Sequence, residues 1–310
     1  MIDKCNLCEN TKISFLFKNH DRMFNLSGDY DIFRCDKCGL IFINPQPADE
    51  ELSKHYPNDY YSFNGEKPKE FAIKIYQKIY LGNLFEKLLF SPFKLIFRHT
   101  LVVPDGRFLD IGCGSGKFMV LMQKLGMECF GVETGKIDGE FVKKNNLKIY
   151  NTNLKDANFS DDYFDVISLS WVLEHIKNPL DVFHEIKRIL KPNGKIILSV
   201  PQSKCLLFFI FGKYWASLDT PRHLFIFSKK TIKMYSEKTG LKIIKTKNMQ
   251  SNILHTLFYF SNALVPKERF FSENNFSKNI FLQLLVMPVS LMISAFRLGD
   301  EIEVILSKEK

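Results

Sequence analysis

Two groups of residues in this chain have the types and spacing to do chemistry. The first is four cysteines, Cys5 and Cys8 in "CNLC" and Cys35 and Cys38 in "CDKCG". Two Cys-x-x-Cys steps supply four thiolates, the donor set of one tetrahedral zinc ion, and leave no coordination position for a substrate. The expected role is structural, because in so short a segment a metal replaces a hydrophobic core. Gly39 follows the second pair directly, where a metal knuckle turns through positive φ. The second group is the glycine-rich "FLDIGCGSGKF" at 108–118. It reads as a strand, a tight turn and a helix, a way to hold a nucleotide-like ligand at a helix N-terminus.

Spacing restricts which ligand that is. A dinucleotide loop needs Gly-x-Gly-x-x-Gly, but counting from Gly112 and Gly114 the last position is Lys117. A phosphate loop of the Walker type needs Gly-Lys followed by Ser or Thr, and Lys117 is followed by Phe118. Further along, Glu133 closes the next apolar segment, "ECFGVE", where a carboxylate can accept both hydroxyls of an adenosine ribose.

The surrounding elements must position these residues. From Pro104 onward, strand-like runs ("RFLDI", "ECFGVE", "KIYN", "FDVISLSWV", "KIILSVP", "KIIKTKNM") alternate with helical ones ("KFMVLMQKLG", "GEFVKKNN", "PLDVFHEIKRILKPNG"). Such alternation predicts an α/β fold, an open parallel sheet with helices on both faces and a site at the carboxyl ends of its strands. Residues 49–103 divide into a proline- and tyrosine-rich loop and a stretch with helical spacing from Glu70 to about His99.

The pattern Asp110-x-Gly112-x-Gly114-x-Gly116 resembles the first motif of class I S-adenosylmethionine-dependent methyltransferases. Glu133, Asp156 in "LKDANF", "FDVISLSWVLEHI" and "LKPNGKIILSVP" follow in the order and at the intervals of that family's later motifs. The resemblance implies a Rossmann-like fold with a mostly parallel seven-stranded sheet and an antiparallel last strand. It also implies a cofactor site built from Asp110, Gly112, Cys113, Gly114, Gly116 and Glu133, with Asp156 and Ala157 beside the adenine and Ser170 at the end of the fourth-strand motif. The N-terminal cysteine pairs, "INPQP", "HYPNDYY" and "LDTPRHLFIFSKKTIKMYSEKTGL" are similar to a bacterial subgroup that carries a zinc-binding head. The expected organisation is a zinc-ribbon-like module at 1–48, a linker with helices at 49–103, the methyltransferase core at 104–250, an apolar helical insertion at 251–298 and the closing strand at 299–310. Members of the subgroup act on sugars, lipid-linked glycans and other secondary metabolites, which implies a small-molecule or glycan-type acceptor.

With the methyl group already activated on a sulfonium, the protein must chiefly align an acceptor and, for a hydroxyl, accept its proton. His223 in "PRHL" is the first candidate base, with Arg222 beside it for an anionic substrate group. His175 in "LEHI" is a second candidate, with an orienting role as its alternative. Tyr60 and Tyr61 are candidates to close over the site, Tyr60 on the substrate side and Tyr61 on the catalytic side.

Composition excludes less than the motifs do. Lys and Arg number 43 against 34 acidic residues, a net charge of +9, but the excess is spread along the chain. The absence of an Asp/Asn-Pro-Pro-Tyr/Phe motif after the fourth strand and of a Pro-Cys dipeptide argues against nucleic acid as the acceptor. No signal-peptide pattern opens the sequence, so a cytoplasmic location is expected. "NIFLQLLVMPVSLMISAF" at 279–296 carries no charge and meets the lower length limit of a membrane span, although Pro288 interrupts it. Together with "KCLLFFIFGKYW" at 204–215 it leaves a membrane span, peripheral membrane contact, core packing and a homodimer as alternatives. A cofactor-binding protein without catalysis and a dinucleotide oxidoreductase are the competing functional classes.

Overall fold

The computed structural model describes residues 4–57, 67–90, 100–250, 253–264 and 280–308. Tyr60 and Tyr61 lie outside these residues.

The N-terminal region forms β1 (Ile13–His20), β2 (Asp29–Cys35) and β3 (Ile41–Ile43), followed by a short helix α1 (Asp49–Lys54). Helices α2 (Glu70–Tyr80) and α3 (Leu84–Phe90) come next, and α2 buries Ile75, Tyr76 and Ile79 at helical spacing. The alternating region then gives β4 (Arg107–Ile111), α4 (Lys117–Lys124), β5 (Glu128–Val132), α5 (Gly139–Lys144), β6 (Lys148–Tyr150) and β7 (Phe164–Ser170). A 3-10 turn at Leu173–His175 leads to α6 (Pro179–Ile189) and β8 (Leu190–Pro201). The remaining elements are α7 (Leu206–Phe211), β9 (Phe225–Ile226), α8 (Lys229–Thr239), β10 (Leu241–Met249), α9 (Ile253–Leu264), α10 (Ile280–Ala295) and β11 (Glu301–Lys308).

Local chemistry explains several boundaries. Proline occupies the first turn of α6, where its missing N–H costs nothing, and Phe183, Ile186 and Ile189 form its buried stripe. Ser228 and Thr231 cap α8 reciprocally, and Gly240 ends it in the left-handed conformation.

Seven strands form one sheet in the order β10-β11-β8-β7-β4-β5-β6. Pairing is parallel from β8 through β7, β4 and β5 to β6, whereas β11 runs antiparallel to both β8 and β10. Because β11 inserts between β8 and β10, the chain must leave the sheet after β10 and return, and α9 and α10 fill that excursion. The order reverses at β4, so the loops after β4 and β7 open at the carboxyl edge where α/β sheets hold ligands.

The second sheet has the order β1-β2-β3-β9. Its fourth strand belongs to the segment after β8: Ile41 pairs with Ile226 and Phe42 with Phe225. The cysteine-bearing module and the loop carrying Arg222 and His223 therefore share one set of backbone hydrogen bonds, and their apolar residues join a single core that includes Leu40, Phe42, Trp215 and Phe225.

Candidate active site

The glycine loop leaves β4 beside the end of β5. Gly112 N–H donates to the Val132 carbonyl at 2.8 Å. Gly112, Gly114 and Gly116 have φ of +65°, +53° and +81°, a region that side chains with a Cβ rarely occupy. A Cβ on Gly112 would lie 2.4 Å from Cγ2 of Val172, so the loop passes against the segment that begins the Leu173–His175 turn. Cys113 turns its thiol inward, and burial raises that thiol well above its ordinary pKa.

Glu133 follows β5. Its Oε2 accepts from Gly114 N–H at 2.8 Å and its Oε1 from Gly135 N–H at 2.7 Å. A carboxylate has about four lone-pair directions, which leaves room for two further donors. Asn151, just beyond β6, donates its side-chain N–H to the Glu133 carbonyl at 2.8 Å and to the Gly135 carbonyl at 3.0 Å. Asp156 lies in the following loop, where Asn153 Nδ2 donates to its carboxylate at 2.6 Å, and Ala157 is partly buried behind it. Asp110 is buried at the end of β4, paired in register with Gly131 and Ser168, and Ser170 ends β7. The donor set of S-adenosylmethionine fits these residues: free loop curvature at three glycines, a carboxylate with open lone pairs at the end of β5, and an acidic residue over the adjoining strand.

On the other side of the loop, three polar side chains meet in an apolar setting. His223 is buried, and its Nδ1 lies 2.8 Å from the Ser217 carbonyl. A carbonyl only accepts, so Nδ1 carries the proton and Nε2 keeps its lone pair. Nε2 lies 3.8 Å from Oε1 of Glu174 and 3.9 Å from Oδ2 of Asp219. His175 Nδ1 lies 3.0 Å from the Arg222 carbonyl and 2.9 Å from Tyr56 Oη, and its ring meets that of His223 edge-on at 4.7 Å between centroids. Burial, with the neighbouring His223 adding to it, pushes His175 down to about 3. Burial also holds His223 below its ordinary value, Asp219 opposing, so both rings are neutral near pH 7. Glu174 is raised well above the usual carboxylate range by burial, with the charges of Glu301 and Asp219 acting the same way.

The geometry corrects the expectation for Arg222. Its guanidinium is fully buried, and all five N–H groups have protein acceptors: Asp219 for Nε, Asp21 and the His55 carbonyl for Nη1, Asp21 and Asp219 for Nη2. None is left for a substrate anion. Arg222 instead ties the loop to Asp21, which also sits 2.7 Å from His55 Nδ1.

Sequence reasoning named His175 and His223 as separate candidates, which the structure brings together, and missed Glu174, Tyr56 and Asp21. Glu174 carried a signal, a carboxylate adjoining a candidate histidine in "LEH". Tyr56 and Asp21 carried none, because their partners are more than a hundred residues away.

In the N-terminal module the four cysteine sulfurs converge, with Cys5 Sγ 3.6 Å from Cys38 Sγ, Cys8 Sγ 3.5 Å from Cys35 Sγ, and all four within 4.8 Å of one another. Tetrahedral zinc with Zn–S bonds of about 2.3 Å separates its sulfurs by roughly 3.8 Å, so the set fits that ion. Gly39 turns the second knuckle at φ +82°, and its N–H donates to the Cys35 carbonyl at 2.9 Å.

Apolar surface is concentrated on α7 and α10. Phe209 and Ile210 of α7 are exposed, as are Phe281, Leu284, Leu285, Val289 and Met292 of α10. Among the described residues no helix is long and apolar enough to cross a membrane, and α10 itself has 16 residues.

A family model for a methyltransferase domain matches residues 81–246, more than half of the chain. An uncharacterized protein of Methanocaldococcus jannaschii is 30% identical over 160 residues, covering 50% of this chain and 72% of that protein. The mitochondrial ubiquinone biosynthesis O-methyltransferase of Schizosaccharomyces pombe is 30% identical over 112 residues, 34% of this chain and 41% of that enzyme, so this match spans less than half of the relative's length. In fold, the chain is similar to geranyl diphosphate C-methyltransferase from Streptomyces coelicolor, solved with Mg2+, geranyl diphosphate and S-adenosyl-L-homocysteine, with a TM-score of 0.50 and 14% identity over 85% of this chain and 99% of that one. The glycine loop, the carboxylate at the end of β5 and the family match agree: this chain belongs to the methyltransferase-domain family and is a class I S-adenosylmethionine-dependent methyltransferase.

Proposed function

We propose that the enzyme methylates a small-molecule or glycan-type acceptor carried on a lipid, with a structural zinc ion at Cys5, Cys8, Cys35 and Cys38 and peripheral contact between its apolar helices and a membrane. The observation that carries this reading is the chain of contacts from Gly112 through Val172 to the Glu174, His175 and His223 cluster, which puts polar groups next to the loop. When bound, S-adenosylmethionine supplies the methyl group on a sulfonium. Gly112, Cys113, Gly114 and Gly116 hold it by their backbone, Asp110 supports the loop from β4, and Glu133 orients the ribose. Asp156 and Ala157 face the adenine, and Ser170 closes the site from β7. His223 Nε2 accepts the proton of an acceptor hydroxyl, and His175 orients the acceptor against it.

The lipid part of the reading is supported by exposed Phe209 between Lys204 and Lys213, and by the uncharged exposed face of α10. The Schizosaccharomyces relative is an O-methyltransferase of ubiquinone biosynthesis. A homodimer through the same face is the alternative use of that surface.

The test begins with calorimetric titration of zinc-analysed protein with S-adenosylhomocysteine, with NADH as the control ligand, followed by methyl transfer to free and lipid-linked sugars and quinols. Micromolar S-adenosylhomocysteine binding and product on a lipid-linked acceptor are expected. Binding without transfer to any acceptor would favour a cofactor-binding protein, and preference for NADH would overturn the reading of the loop.

A further inference from the structure

We propose that Glu174, His175 and His223 form a divalent-cation site, separate from the four cysteines and set against the acceptor side of the glycine loop. One ring nitrogen of each histidine and one carboxylate oxygen lie within 4.8 Å of one another. Both oxygens of Glu174 are buried, and no other described residue donates a hydrogen bond to them. A buried carboxylate without a donor is costly and calls for a physical explanation, and a cation supplies one.

The second half of the argument is the set-up of the imidazoles. Each has its Nδ1 within 3.0 Å of a backbone carbonyl, Ser217 for His223 and Arg222 for His175. For His223 that contact fixes the tautomer and directs the Nε2 lone pair away from the carbonyl, the outer arrangement that accompanies metal-ligating histidines, while His175 Nδ1 is shared between the Arg222 carbonyl and the Tyr56 hydroxyl. Two neutral imidazoles and a carboxylate form a three-ligand set that leaves coordination positions open. Ligand bonds of about 2.1 Å place neighbouring donors roughly 3.0–3.4 Å apart, so closing around an ion requires the 3.8 Å between His223 Nε2 and Glu174 Oε1 to shrink by about half an ångström. Asp219, 3.9 Å from the same nitrogen, stays outside the set because Arg222 holds both its oxygens. Of the three, Glu174 and His223 are buried and His175 is half-buried, so the open side faces past His175 and Tyr56.

The proposal rests on reading this cluster as the acceptor side of the methyltransferase site, and it narrows the acceptor to one that presents an oxygen to a cation. With an ion bound, the lone pair of His223 is engaged as a ligand. Without one, it remains available as the proton acceptor.

The decisive measurement is equilibrium dialysis of the full chain against Zn2+ and, separately, Mn2+, with total metal per chain counted by mass spectrometry. For the wild type we expect two ions per chain, one on the cysteines and one here. Glu174→Gln and His223→Asn are each expected to retain the cysteine-bound ion and to weaken the other at least tenfold. One ion per chain under both metals would overturn the proposal, and so would a second ion bound equally well by folded variants, which would place it elsewhere. Should a variant fail to fold, the wild-type count still decides whether a second ion exists, and His175→Asn repeats the ligand test. S-adenosylhomocysteine binding is measured on the same samples. Its presence without a second ion would sink this site alone, and its absence would sink the methyltransferase reading beneath it.

Discussion

Glu133 Oε2 accepts a hydrogen bond from Gly114 N–H at 2.8 Å, joining the end of β5 to the middle of the glycine loop. The same carboxylate holds Gly135 N–H at 2.7 Å, so one side chain organises both walls of the cofactor cleft. Removing it takes away both of these hydrogen bonds and loosens the glycine loop, besides the ribose contacts proposed for it. Glu133→Ala should weaken S-adenosylhomocysteine by roughly tenfold to a hundredfold, about 1.4–2.8 kcal/mol. Calorimetry would check this, and unchanged affinity would remove Glu133 from the site.

Gly112 combines φ of +65° with a Cβ position 2.4 Å from Val172 Cγ2. Gly112→Ala should destabilise the fold by about 1–3 kcal/mol through backbone strain together with overlap. Trimming the neighbour in Gly112→Ala/Val172→Ala relieves the overlap and leaves the dihedral strain. Urea unfolding should therefore show less than the sum of the two single losses. Additive losses would mean that the clash is not felt.

The second sheet takes β9 from the core, so loss of the proposed zinc ion should not stay local. Chelation, or Cys38→Ser, is expected to release β3 from Phe225 and Ile226 and to loosen the neighbouring loop at 219–224. Hydrogen exchange across 215–227 should rise severalfold, whereas β4 and β7 should keep their protection. Unchanged exchange at 219–227 after complete metal removal would show that the loop is held without the head.

Asp21 is fully buried, and burial alone would raise its carboxyl. Hydrogen bonds and charge from Arg222, with the Phe24 N–H and His55 helping, hold it below the ordinary aspartate value instead. A depressed carboxylate stabilises the fold above its unfolded pKa of about 3.9 and loses that contribution as pH falls through the lower folded value. The stability of the wild type should therefore fall with acidification below about pH 5 more steeply than that of Asp21→Asn. At pH 7 the variant should be about 3–5 kcal/mol less stable, because Arg222 keeps its burial and loses one of two partners. Urea unfolding from pH 3 to pH 8 gives both quantities, and parallel pH curves would contradict the assignment.

Phe209 is 87% exposed and Leu285 64% exposed, both on apolar helices. Phe209→Glu/Leu285→Glu should reduce sedimentation with anionic phospholipid vesicles by severalfold and leave S-adenosylhomocysteine affinity unchanged. If the wild type ignores vesicles and instead sediments as a dimer that the variant dissociates, the surface serves a second copy of the chain.

The elements most legible in the sequence are those whose causes are local. Glycines at 112, 114 and 116 have positive φ because nothing else turns a strand into a helix so tightly, and alternation of apolar strands with amphipathic helices specified a parallel sheet. The return of the last strand followed from family likeness, and the pairing of β11 with β8 and β10 agrees with it. Arg222 was misread for the opposite reason. As a loop arginine beside a histidine it looked available, and only its contacts with Asp21 and Asp219 reveal that its donors are used.

By itself, the sequence determined the class of fold, the cofactor loop with its carboxylate, and the four thiolates, because each depends on residue type and short-range spacing. Tertiary structure alone decided that the cysteine module shares a sheet with the His223 loop, that Asp21 and Tyr56 reach the far side of the site, and that Glu174 lies against His175 and His223. Those relations join residues up to about two hundred positions apart, and they arise from how sheets and loops close on one another, which no local pattern encodes.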